Sequence, residues 1–223
     1  MREIVAGAPA GSLLSKSIIR LGGFHLLMSY LGAIGYLMSG SGLKELLSTI
    51  YAPLSVEKMM QGLAFARAVR GHLLATASLA TVILEVVQLT EDEVDCIKNM
   101  TMSFMDEQSS LLELNQNTHL KALSEKFGAA MELLSSKGPT EQLWVQYFKM
   151  VSLMKEYIHA ERSGDFNAYL ECVRRMIPYF HAAGHFPYAK SCHLYIQDME
   201  KLHEKLSPEE YHKFVNDSYF TMR

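Results

Sequence analysis

Cysteine is scarce in this chain: Cys96, Cys172 and Cys192 are an odd number, far apart, and form no CxxC pair. That suits a reducing compartment better than a disulfide framework, so the cytosol or nucleus is the expected location. Long apolar runs are also missing. The two greasiest stretches, Leu26–Met38 and Leu73–Leu84, have His25, Lys44, Arg70, His72 and Glu85 close by. Both fall short of the roughly 20 apolar residues that span a bilayer, so no membrane partner is expected. The first residues, Met1 to Pro9, hold no apolar core of a secretory signal. No GxGxxG or GK[ST] pattern occurs, which leaves no nucleotide-binding motif, and between Glu3 and Glu45 there is neither Asp nor Glu.

What is present is enough to fold. The 223 residues are 49% hydrophobic with a net charge of −3, sufficient to bury a substantial core in one or two domains. Residues 1–90 carry 7 Lys+Arg against 4 Asp+Glu, and residues 91–223 carry 14 against 20. Neither part is basic enough to mark a nucleic-acid-binding domain.

Helical spacing dominates. Ser17–Leu21 is the one strand-like stretch, short and β-branched before Gly22-Gly23. From Phe24, a stripe of Leu27, Leu31, Ile34, Leu37 and Met38 predicts a helix that ends at Ser39–Gly42. A short helix follows from Leu43 to about Ile50, and Ser55 is the expected N-cap of another through Met59. A long apolar helix, Ala64–Val87, is predicted to be central, its period kept by Ala66, Val69, Leu73, Ala77, Ala80 and Leu84. Thr90 to Glu93 forms a capping box opening a helical region toward Leu134, with Asn115–Asn117 as an expected interruption.

Gly138-Pro139 stops that region and starts the next helix, to Ser163. Gly164-Asp165 and Gly184 with Pro187 divide the helices that follow, and Ser207-Pro208-Glu209-Glu210 starts the last. The fold class predicted is mainly α, a multi-helix bundle with at most one short N-terminal strand. Its expected organisation is an apolar helical region over 1–136 and a four-helix region over 139–223, or one continuous domain.

Reactive side chains crowd between Tyr157 and Tyr195. Glu161 and Arg162 before Gly164-Asp165 could form an acid/base dyad steadied by an arginine. The structural reading is simpler: Gly164 as a left-handed cap, Arg162 at the negative helix end, Asp165 as an N-cap. His181 and His185 stand four apart, as in helical zinc pairs, but Gly184 breaks the helix between them. Cys192 and His193 are adjacent and point about 100° apart on a helix. No metal site, cofactor or catalytic residue is therefore assigned. Glu161, Arg162, Asp165, His181, His185 and Tyr188 are the candidate interaction residues, with contact expected between His185 and Tyr188 and between Glu161 and Arg162. Arg67, Arg70 and His72 are candidate phosphate contacts. Cys172 and Cys192 sit in aromatic, helical surroundings typical of inert thiols, and the 14 methionines read as gap fillers or as an adaptable binding surface.

Two blocks of text carry a resemblance. Leu21-Gly22-Gly23-Phe24-His25-Leu26-Leu27-Met28-Ser29-Tyr30-Leu31-Gly32-Ala33-Ile34-Gly35 is the first. The second runs through Ala160-Glu161-Arg162-Ser163-Gly164-Asp165, Met176-Ile177-Pro178-Tyr179-Phe180, Gly184-His185 and Tyr188-Ala189. Together, across roughly Ile18 to Phe220, the chain resembles a large family of uncharacterised proteins present in many copies in invertebrate genomes and derived from mobile elements.

The resemblance implies an interior piece of a longer protein. A transposase of the RNase H-like type would need metal-binding carboxylates at strand ends. His25 stands where such an acid is wanted, so the expectation is a helical fragment without independent catalysis. A helical protein-interaction scaffold and a metal-dependent DNA-processing enzyme are the alternatives. The sequence identifies no partner; nucleic acid, reached through the full-length protein, and another protein are the candidates.

Overall fold

The computed structural model describes residues 2–87, 89–106 and 117–216. Among them are twelve helices and no strand: α1 Arg2–Ala6, α2 Gly23–Leu37, α3 Leu43–Ser48, α4 Pro53–Met60, α5 Phe65–Val86, α6 Glu91–Met105, α7 Thr118–Lys137, α8 Pro139–Ser163, α9 Phe166–Ala182, α10 Phe186–Glu200, α11 Leu202–Lys205 and α12 Pro208–Asn216. The mainly α, multi-helix architecture expected from the spacing is what forms. Ser17–Leu21 is irregular rather than a strand, because a strand needs a ladder partner and none exists among the described residues.

Two compact units divide the chain, Met1–Arg70 with Met150–Arg223, and Gly71–Lys149, with α5 and α8 contributing residues to both. These bounds differ from a division at 136–139. Gly138 lies inside the second unit, as the residue joining α7 to α8.

In the first unit α2 supplies Leu26, Leu27, Leu31 and Ile34 to the core, all nearly inaccessible. Each such burial contributes roughly 1.5–3 kcal/mol. Glycines bring this helix against α4: a Cβ on Gly35 would stand 2.0 Å from the Met60 carbonyl oxygen, and one on Gly62 would stand 2.0 Å from that of Met28. Gly62 also has φ +75°, which disfavours any side chain. α4 starts at Pro53 with Ala52 as its N-cap, so Ser55 is not the cap. Proline at the first helical position, with φ already set, outcompetes the serine two residues on.

α9 and α10 form an antiparallel hairpin. Arg174 Nη2 donates to Glu200 Oε1 at 2.9 Å far from the turn, and His181 faces His193 near it. Both bends that frame α9 are glycine caps of one type. Gly164 has φ +78° and the Asp165 N–H donates to the Ala160 carbonyl at 3.1 Å; Gly184 has φ +72° and the His185 N–H donates to the Phe180 carbonyl at 2.8 Å. Asp165 Oδ1 accepts from the Ala168 N–H at 2.9 Å and caps α9. Ser207 and Glu210 form a reciprocal capping box at α12.

In the second unit Ile83, Val87 and Ala130 form a small core with Phe127, Met131 and Phe148 against it. The Thr90/Glu93 capping box opens α6. Of the interruption expected at Asn115–Asn117, residues 115 and 116 lie outside the described residues; Asn117 caps α7 through the His119 N–H.

α5 is long and apolar enough to cross a membrane, with 28% of its most apolar window buried. Its buried face is not the expected one. Ala68, His72, Ala75, Thr76 and Ile83 are buried, whereas Ala66, Ala77 and Leu84 are exposed. A helix apolar on every side has no strong preferred face, and the His72–Tyr147 hydrogen bond helps set this one.

Candidate functional site

The first turn of α2 is where the signature blocks meet. Gly23 has no Cβ, and the space is taken by α8: a Cβ there would lie 1.7 Å from Glu161 Oε1 and 3.0 Å from the Tyr157 hydroxyl oxygen. Tyr157 donates to the Gly23 carbonyl at 3.1 Å. N-cap Gly22 offers no side-chain acceptor, so the Glu161 carboxylate is the anionic group presented to that helix end, where negative charge is favoured.

Around it stand three buried phenols. Tyr157 and Tyr169 have ring centroids 5.3 Å apart, and Tyr169 and Tyr195 6.3 Å. Burial pushes all three tyrosines above their ordinary range, Tyr169 to about 12. Burial likewise raises Glu161, and the Arg20 guanidinium opposes that rise. A carboxylate, an arginine and three phenols held protonated make an anchoring cluster that ties Arg20 and the start of α2 to α8, α9 and α10.

Two residues along, His25 Nε2 lies 3.2 Å from the Tyr188 hydroxyl. Phe180 stacks at 5.8 Å on Tyr188 and at 6.3 Å on His185, and the His185 ring lies against Gly32 of α2, its Cε1 3.7 Å from where a Cβ would be. The buried His185 Nδ1 has no hydrogen-bond partner among the described residues.

Of the residues singled out from sequence, His185 and Tyr188 do meet, with centroids 6.0 Å apart. Glu161 lies against Gly23 with Arg20 as its cationic neighbour, while Arg162 is exposed. Asp165 is spent on its cap, and His181 is paired with His193 rather than with His185. Arg67 and Arg70 are exposed, and Arg67 Nη1 donates to Ser55 Oγ at 2.9 Å. His72 is wholly buried: its Nδ1 lies 2.9 Å from the Tyr147 hydroxyl, and burial holds it down at about 4.

Sequence spacing does not bring Arg20, His25, His193 and the tyrosine trio together. Their separation in sequence hides the grouping, and the aromatic spacing reads equally well as ordinary core.

Chemistry that needs a ready nucleophile finds little here. Burial raises Cys172 to about 11 and Cys192 to about 12, far from the thiolate a reactive cysteine requires. Among the described residues no group of three or more His, Cys, Asp and Glu is placed to hold a metal ion. Among the described residues the first unit holds cavities, including a small one of about 280 Å³ between Ile18, Leu206 and Phe214. Another of about 760 Å³ is lined by Glu3, Ile18, Asp198, Leu202 and Lys205 among others, and one of about 480 Å³ by His159, Asp165 and Asn216 among others.

A family model described as a domain of unknown function (DUF8702) matches residues 1–223. No curated protein and no solved structure matches the chain.

Proposed function

For this chain, which belongs to the DUF8702 family, we propose the role of a non-catalytic helical interaction module within a mobile-element-derived protein. The observation that carries the reading is the set of large apolar side chains left in solvent between residues 36 and 63. Tyr36 is 63% exposed, Ile50 63%, Leu54 76% and Leu63 61%, with Leu46 also exposed. Large apolar groups left in solvent on a segment whose neighbours Leu43, Leu47, Val56 and Met59 are fully packed fit a surface that a protein partner covers.

The raised thiols of Cys172 and Cys192 support the non-catalytic half of the reading, and the resemblance of the two signature blocks supports the mobile-element half. An intracellular setting belongs to the same proposal and rests on the three free cysteines. Nucleic acid would be contacted by the longer protein, with Arg67 and Arg70 the exposed guanidinium groups this segment adds.

Proximity labelling in cells with the wild-type chain and with the double variant Ile50→Glu, Leu54→Glu tests the interaction. A protein labelled by the former and lost with the latter is the expected result, and identical labelling by both removes the assignment. Divalent-metal-dependent nicking of DNA by the purified chain would overturn the non-catalytic role.

A further inference from the structure

His181 lies in the last turn of α9 and His193 in the middle of α10. The hairpin around Gly184 brings their ring centroids to 6.1 Å, with 51° between the planes. Both imidazoles are exposed, and the Phe186 ring, 6.0 Å from His181, covers one flank. We propose that His181 and His193 bind one first-row divalent cation of the zinc, copper or nickel class between α9 and α10, with water completing its coordination.

The geometry permits it. A metal–imidazole bond of about 2.0–2.1 Å puts the ion roughly 3.2 Å from each ring centroid, so two rings share it at roughly 6.4 Å when they stand opposite each other and at roughly 5.2 Å at the tetrahedral angle. The observed 6.1 Å lies between these values, and the rings close by about 0.9 Å to reach tetrahedral coordination. Rotation about χ2 turns one nitrogen of each ring inward and rotation about χ1 closes the gap; both imidazoles are exposed, and Phe186 lies on one flank of His181 only.

The backbone is already committed. The Gly184 turn fixes one end of the helix pair and the Arg174–Glu200 ion pair, N···O 2.9 Å, holds its register farther on. Imidazole pairs select zinc, copper and nickel over magnesium and calcium, which take oxygen ligands. A cation held this way would staple the α9–α10 hairpin, and binding only the folded form it would raise stability with concentration.

The test uses the full chain, stripped of metal with a chelator, in calorimetric titrations and thermal unfolding with Zn²⁺ and with Mg²⁺. One Zn²⁺ per chain and a raised Tm are expected, with no response to Mg²⁺. His181→Ala and His193→Ala should each weaken Zn²⁺ about tenfold or more and remove the Tm shift. His159→Ala, at an exposed histidine elsewhere, should leave both intact. His193→Cys, which replaces one zinc ligand by another, should restore binding. Zn²⁺ affinity unchanged by His193→Ala, or no binding to the wild-type chain, would overturn the proposal.

Discussion

The hydroxyl of Tyr157 donates to the carbonyl oxygen of Gly23 at 3.1 Å, across 134 positions of sequence. The same glycine leaves the space in which the Glu161 carboxylate sits. Gly23→Ala therefore drives a methyl group into that carboxylate. Because Glu161 is the free end of a half-exposed side chain it can swing aside, and the expected cost is modest, about 1 kcal/mol. Tyr157→Phe removes one hydrogen bond and leaves the Gly23 carbonyl buried, for about 1–2 kcal/mol. Urea denaturation of the two variants and their double mutant checks both values, and coupling between them is expected since they share one contact.

Gly35 and Gly62 should tolerate far less. Their would-be Cβ atoms meet backbone oxygens, not flexible side-chain ends, and at Gly62 the positive φ adds strain. Gly35→Ala and Gly62→Ala are each expected to cost about 3 kcal/mol or more, several times the effect at Gly23. Denaturant midpoints for the three alanine variants, measured side by side, give the ranking; equal effects would contradict the close approach of α2 and α4.

Acid should weaken the Gly71–Lys149 unit through His72. Its folded value of about 4 lies below the ordinary 6.5, so between those values the unfolded chain binds the proton and the folded chain does not. Stability is then complete above pH 6.5 and falls as pH drops toward 4, by about 3 kcal/mol at most. Denaturation followed by circular dichroism at pH 7, 5.5 and 4.5 should show this decline. In His72→Gln, which does not titrate in this range, the slope over that window should shrink.

The thiols offer a separate check on packing. Cys172 and Cys192 are buried and shifted upward, whereas Cys96 is partly accessible. Iodoacetamide at pH 8 should label Cys96 first, with Cys172 and Cys192 reacting about tenfold or more slowly until denaturant is added. Mass spectrometry of the labelled peptides resolves the order.

Helix ends were the legible part of this chain because the residues that make them act locally. Gly164, Asp165, Gly184, Ser207 and the Thr90/Glu93 box all do what their spacing implies, since each needs only neighbours within five positions. The face of α5 was illegible for the opposite reason. Apolar residues surround that helix, and its buried side is marked by a histidine bonded to Tyr147, 75 positions away. The candidate site followed the same division. His185 and Tyr188 share one turn and can be paired from sequence, whereas for Glu161 the sequence offers only its neighbour Arg162. Its real surroundings are Gly23, Tyr157 and Arg20, two of them more than 130 positions upstream, and no periodicity reports such a contact.

The first compact unit draws on both ends of the chain, Met1–Arg70 and Met150–Arg223, and this gives the two units different histories during synthesis. Gly71–Lys149 is contiguous, so every residue of that unit has been made by the time Lys149 leaves the ribosome. α2 must wait: Tyr30 hydrogen-bonds the Met150 carbonyl, and Tyr157 reaches Gly23, yet these partners arrive more than a hundred residues later. At about 5–20 residues per second that is a delay of roughly 5–25 s. Through it Leu26, Leu27, Leu31 and Ile34 have α4 beside them but none of the cover that α9 gives α2.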